Sequence, residues 1–167
     1  MNLLFTQPNL VGGVLEGVLL KARDENEIKK IPFIAKIFSN AAFDSSLSIP
    51  QVNMLLKIVE SFTYQQLGLI AIGSDPSRYT MRNQPLQPGQ SITREQLAVF
   101  MELFDLFRKG VLLLQAPGVQ NHNIVLEMNQ IVPTNLKLST PGRYIYQVMD
   151  LANYDSYDIN KIVEKLT

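Results

Sequence analysis

Three times along this chain a serine or threonine stands three residues ahead of a glutamine, with an apolar run close behind. The pairs are Ser48 with Gln51, Thr63 with Gln66, and Thr93 with Gln96. This spacing is a capping box, in which each side chain satisfies an unpaired backbone N–H of the other residue at a helix start. Three such starts predict a mainly α fold. The rest of the punctuation agrees. Asn9 is placed to cap a first helix over 10–22, and a charged stretch, Lys21 to Lys30, leads to a second. There Ile31, Ile34, Ala35, Phe38 and Ala42 fall three and four apart, which predicts one buried face. Pro32 sits in the first turn, where its missing N–H does no harm. Asp44, Ser45 and Ser46 are expected to end this helix.

After Ser48 the spacing predicts a third helix that buries Val52, Leu55, Leu56, Val59 and Phe62. The second box predicts a break at Ser61 to Thr63 and a fourth helix through Ile72, stopped by Gly73. Residues 73–92 carry prolines and glycines without periodicity and read as a long loop, the kind that tends to be functional. Thr93 opens the most strongly marked helix. Ile92 and Leu97 hold the two staple positions, and Leu97, Phe100, Met101, Phe104 and Phe107 are the predicted buried stripe. Arg108 and Lys109 suit the negative end of the helix dipole, and Gly110 suits a left-handed cap.

The period then changes. Val111 to Leu114, Ile124 to Met128 and Leu136 to Leu138 read as short strands, with a turn-rich segment from Pro117 to Asn123. Thr140 and Pro141 restart a helix carrying Tyr144, Ile145, Val148, Met149 and Leu151. Ser156 is the expected cap of a last helix with Ile159, Ile162, Val163 and Leu166. The expectation is therefore one domain over 1–167. It has a helical part at 10–72, a Pro-rich loop at 73–92, and a helix–hairpin–helix part at 93–167 with a small β-hairpin or three-stranded wing near 111–138.

Composition narrows function more than it defines it. A hydrophobic fraction of 46% in 167 residues supports a packed core. With no cysteine there is no disulfide, thiolate nucleophile or cysteine zinc site, and one histidine cannot build a multi-histidine metal centre. Fifteen basic and fifteen acidic groups give a formal charge of zero. Each half is balanced too, with 8 basic and 7 acidic groups in 1–83 and 7 and 8 in 84–167. The electrostatic footprint of a nucleic-acid binder is missing. Leu10 to Leu20 is apolar apart from Glu16 and three glycines, about half the length of a ~20-residue span. It predicts a packing helix, and it is the only route to a membrane. The Gly13 and Gly17 spacing has no weight outside a longer apolar run.

The candidate chemistry is sparse. His122 lies in the polar run Gln120 to Asn123 without a partner to orient it, which predicts a turn histidine. Glu102 and Asp105 are neighbours on one helix face, with Arg108 and Lys109 a turn on, and read as a salt-bridged surface. Asp158 suits the first turn of the last helix, and Asp155 beside it has no calcium-loop spacing around it. Ser74 and Ser91 lack a triad or an elbow, and no phosphate-binding glycine motif occurs. No catalytic residue, metal ligand, cofactor or small-molecule site is predicted. Arg78, Tyr79 and Arg82, in the long loop, are the candidate partner-binding residues, since Arg and Tyr are enriched at interface hot spots. The aromatic stripe at Phe100, Phe104 and Phe107, with Met101, becomes a partner surface if it is left uncovered.

Two resemblances add to this reading. "LFDLFRKGVLLL" and "LKLSTPGRYIYQVM" resemble the winged-helix pattern, with Leu103, Gly110, Leu112, Leu138, Thr140 and Gly142 at its marked positions and Val111 where that pattern has Leu. The resemblance covers about 60 residues and implies a helix, a β-wing and a second helix. A DNA reader of this kind would insert the helix before the wing into the major groove. Here that helix carries Arg94, Glu95, Glu102, Asp105, Arg108 and Lys109, which cancel, and residues 117–123 hold no Lys or Arg. The second resemblance runs from Lys29 to Ile72. It is similar to uncharacterised bacterial helical proteins with an "LTYRQL"-type motif, here Phe62, Thr63, Tyr64, Gln65, Gln66 and Leu67, with Gln65 in place of Arg. It is also similar to the Abi-alpha abortive-infection family, which implies a role in phage defence.

The expected function is a non-enzymatic protein-interaction or regulatory module of a bacterial or phage-related protein, meeting a protein partner or a second copy of itself. The alternative is a phage-defence effector that reaches a membrane through residues 10–20, and the third reading is a DNA-binding regulator. The expected location is the cytoplasm, with membrane association only if the chain is a piece of a longer protein.

Overall fold

The computed structural model describes residues 16–17, 19–20, 27–43, 49–87, 89–115 and 128–167. Two compact units divide the chain, one of residues 1–64 with 148–150, the other of residues 65–147 with 151–167. The described elements are mainly helical, with one small antiparallel sheet. None of the described helices is long and apolar enough to cross a membrane. Glu16, Gly17, Leu19 and Leu20 are helical, and the rest of the expected first helix lies outside the described residues.

In the first unit, helix α1 (Ile31–Phe43) packs on α2 (Ile49–Glu60). α1 buries Phe33, Ile34 and Ile37, in line with Lys30 in the turn before it. Ala35, expected on the buried face, is exposed. α1 is apolar around most of its circumference, so spacing alone did not choose which stripe faces α2. The side chains of Phe38 and Ala42, the stop at 44–46, and the Ser48–Gln51 box lie outside those described. α2 buries Val52, Leu55, Leu56 and Val59, with Phe62 just beyond, as its spacing predicts. Polar bonds secure this unit. The buried Lys30 Nζ donates to the Glu60 carbonyl at the negative end of α2, at 3.3 Å. Glu27 accepts from the Tyr64 backbone N–H at 2.7 Å. Asn40 donates to the Val148 carbonyl at 2.7 Å, and Lys36 pairs with Asp150 at 3.0 Å.

The second unit is built around α3 (Tyr64–Ser74), buried on all sides from Gln66 to Gly73. It continues past Ile72 because Gly73 is not a stop. A Cβ at Gly73 would come within 2.6 Å of the Leu112 side chain, and one at Gly68 within 2.5 Å of Ile162. Both glycines let neighbours approach a central helix. α4 (Arg94–Arg108) begins with the complete Thr93–Gln96 box. It ends in a Schellman motif. Gly110, at φ +67°, donates to the Phe107 carbonyl and Val111 to that of Leu106.

β1 (Leu112–Leu114) pairs antiparallel with β2 (Leu136–Leu138), Leu112 opposite Leu138. Leu112, Leu136 and Leu138 are buried while Leu113 and Lys137 face out, the period of a half-buried sheet. Of the strand expected at Ile124 to Met128, Met128 opens a 3₁₀ turn instead, and 124–127 lie outside the described residues, as does 117–123.

α5 (Thr140–Val148) follows β2 directly. Buried Ser139 accepts from the Gly142 N–H at 3.0 Å and donates to the Gly110 and Val111 carbonyls at 2.6 and 2.9 Å. A Cβ on Gly142 would lie 2.2 Å from the Val111 oxygen. The "LSTPG" stretch that carries the winged-helix resemblance is thus a joint between the strand start and a helix start. Ile145, Val148, Met149 and Leu151 are buried, whereas Tyr144 is exposed. α6 (Ser156–Lys165) is capped by Asp155, which accepts from Asp158 N–H, so the cap falls one residue before the expected Ser156. Aspartate accepts without spending a donor and adds charge at the positive helix end. α6 packs on α4 and buries Ile159, Ile162 and, at its end, Leu166, with Val163 half-buried.

Candidate interaction surface

The long segment after α3 is held in place at several points in the second unit. It starts with a 3₁₀ turn, Pro76–Arg78, which lies against a second turn, Pro133–Asn135. Met81 is buried, the Arg82 N–H donates to the Leu166 carbonyl at 2.9 Å, and Leu86 N–H donates to that of Asn129. The three candidate partner-binding residues are placed differently. Arg78 is exposed at the end of its turn and Tyr79 is half-buried. The Arg82 guanidinium donates to the carbonyls of Gln84 and Ile131 and lies 5.5 Å from the centre of the Phe100 ring. Burial pushes its pKa down from the ordinary arginine value, and its carbonyl bonds and ring contact offset that cost. Arg82 therefore fastens the strap, and only Arg78 offers an exposed cation.

The faces of α4 differ from the expected stripe. The inward side chains are Val99, Phe100, Leu103 and Leu106, all buried. Phe104 and Phe107 are half-buried. Met101 is 56% exposed and Leu97 41% exposed. Of the expected stripe Leu97, Phe100, Met101, Phe104 and Phe107, Phe100 is buried, Phe104 and Phe107 are partly covered, and Leu97 and Met101 are exposed. Packing against α6 and β1 selected a face about a third of a turn away. The physical reason is that α4 carries apolar residues around most of its circumference, so either stripe satisfies a 3.6-residue period. Spacing places Arg94, Leu97, Ala98, Met101, Asp105 and Arg108 along one outward face, and all but the half-buried Asp105 are exposed.

Electrostatics at the C-terminal end of this face are local. Asp105 accepts from Lys109 Nζ at 2.7 Å and from Gln66 Nε2 at 2.9 Å. The Lys109 bond, followed by that of Gln66 and the nearby Arg108 charge, holds the Asp105 carboxyl below its ordinary range against the opposing effect of desolvation. The Asp105–Lys109 pairing is the one the sequence predicts. Glu102 is half-buried on the flank between the two faces. Among the described residues no group of three or more His, Asp or Glu side chains is placed to hold a metal ion. His122 lies outside the described residues. No known protein family, curated protein or solved structure matches this chain.

Proposed function

We propose that this chain is a protein-interaction module and that the outward face of α4 is its docking surface. The observation that carries the reading is the exposure of Leu97 and Met101 on a helix whose opposite face is part of the core. Exposed apolar side chains in a row, rimmed by charge, mark interaction sites more often than singly scattered ones do. Methionine and arginine are both enriched at interfaces. The order α4, β1, β2, α5 supports the winged-helix resemblance. In that reading α4 is the helix that would enter a DNA groove, and its charges cancel. A protein surface therefore fits it better than phosphate.

Site-specific photo-crosslinking tests this directly. A benzoylphenylalanine at position 101 is expected to give one adduct of defined mass in the native host, while the same group at the exposed Lys137 gives none. Equal labelling from both positions, or none from 101, would remove the proposal.

A further inference from the structure

The strap between α3 and α4 is built unlike the segment it lies along. Between Tyr79 and Ile92, Met81 is the one buried side chain among the described residues, and no helix or strand forms. Opposite it, Ile131, Val132 and Pro133 are all buried, and the chain passes through a 3₁₀ turn straight into β2. The two run antiparallel. The Pro76–Arg78 turn lies against Pro133–Asn135, Arg82 meets Ile131, and Leu86 meets Asn129. Arg82 and Leu86 are four positions apart where Ile131 and Asn129 are two apart, so no regular ladder joins them.

Few hydrogen bonds tie the strap across the unit. Among the described residues there are three, and Arg82 makes two of them. Its backbone N–H donates to the Leu166 carbonyl at 2.9 Å and its guanidinium to the Ile131 carbonyl at 3.0 Å. The third runs from the Leu86 N–H to the Asn129 carbonyl at 2.9 Å. The guanidinium also donates to the Gln84 carbonyl and lies over the Phe100 ring. Both ends of the strap are set by local geometry, the Pro76–Arg78 turn on one side and the Thr93–Gln96 box on the other.

We infer that the strap is a latched opening unit. Residues 79–92 come off the 128–135 segment and the end of α6 as one piece, with Arg82 as the latch, while α3, α4 and β2 stay folded. A segment with few buried apolar groups and an exposed backbone opens at far lower cost than a core helix. One arginine joins the strap to three separate parts of the unit, so its release leaves only the Leu86 bond, now open to water. Opening takes the guanidinium off Phe100 and exposes Met81. The second unit thus has a closed and an open native state.

Residue-resolved amide hydrogen exchange of the whole chain, at several low urea concentrations, tests this. The Arg82 and Leu86 amides are expected to share one protection factor, well below those of Leu69 to Ile72 in α3. Their exchange should barely respond to urea, because opening exposes little new surface. Arg82→Gln keeps the backbone N–H and removes the charged donor. It should lower both protection factors alike, by about tenfold to hundredfold, the range set by loss of a hydrogen bond to a charged group. Arg82→Lys, which keeps one charged donor, should recover part of that protection.

Exchange at Arg82 and Leu86 with the urea slope of the α3 amides would mean that the strap opens only in global unfolding, and would overturn the inference. A loss of protection at Arg82 alone would show fraying in place of a unit. Unchanged protection in Arg82→Gln would remove the latch. The chain has no cysteine, so Met81→Cys supplies a single thiol as a second measure. Its labelling by a thiol reagent in native buffer should speed up by a similar factor when Arg82→Gln is added. A thiol that reacts only once the protein unfolds contradicts the open state.

Discussion

Both faces of α4 carry apolar side chains, but the inward one is wholly apolar while the outward one sets Leu97, Ala98 and Met101 among Arg94, Asp105 and Arg108. Leu103 is fully buried on the inward face, while Met101, two positions earlier, is 56% exposed. The charged residues of α4 all stay off the core side, but hydrophobicity alone does not decide which of its apolar residues are buried. The decision comes from neighbours remote in sequence, chiefly α6 and β1, which cover one stripe and leave the other. An inward side chain on such a helix contributes to folding, and an outward one is available for binding.

The largest expected effect that separates the faces is on stability. Leu103→Ala should cost about 2–5 kcal/mol, as large-to-small changes in a closed core do. Met101→Ala should stay within about 0.5 kcal/mol of the wild type. Urea unfolding of both variants measures this, and similar losses at the two positions would erase the distinction.

The joint behind β1 comes next. Gly142→Ala places a methyl group against the Val111 carbonyl. The expected loss is about 1–3 kcal/mol, because the Val111 backbone on one side and the buried Leu138 side chain on the other leave little room to relax. A melting temperature equal to the wild type would contradict the close approach. Thr93→Ala, which removes the side-chain acceptor of the Gln96 N–H at the start of α4, should cost about 1 kcal/mol without altering either face.

The smallest effect is electrostatic. The folded-state pKa of Asp105 is depressed, so its pairing stabilises the protein above the unfolded aspartate value of about 3.9 and is lost as pH falls through the lower folded value. The pair is partly exposed, so the contribution is small and salt-sensitive. The stability gap between wild type and Asp105→Asn should hold above about pH 5 and narrow as pH falls below about 3.9 through the lower folded value, as thermal melts in matched buffers would show. A gap that widens on acidification would contradict the pairing.

These contrasts also explain which parts of the fold were legible in the sequence. α2 buries each residue its spacing names, because those residues form one stripe, while Met54, off that stripe, is exposed. The Thr93–Gln96 box and the Gly110 cap were equally readable, since local backbone geometry sets both. In α1 and α4 spacing named some buried residues, Ile34 and Phe100, and missed others, with Ala35, Leu97 and Met101 exposed, because each helix has more apolar residues than one stripe holds and long-range packing made the choice. Gly73 looked like a terminator but is a point of close approach, which needs the position of Leu112 to recognise. The strap residues divided in the same way. Arg82 looked like a partner-binding cation, yet the carbonyls it serves, Gln84 nearby and Ile131 far along the chain, could not be assigned from composition. For the proposed docking surface, residue type pointed to the aromatic stripe of α4 with Met101, and only the fold shows that Leu97 and Met101 are the exposed members.

Methionine footprinting inside cells tests the central claim most directly, because the chain supplies its own references. Met54 and Met101 are 55% and 56% exposed, whereas Met81 and Met149 are buried. In the purified protein Met54 and Met101 should oxidise at similar rates and well ahead of the buried pair. In the cell a partner on α4 should slow Met101 several-fold while Met54 keeps its rate. Equal oxidation of Met54 and Met101 in both settings would show the outward face of α4 to be bare, and would contradict the account.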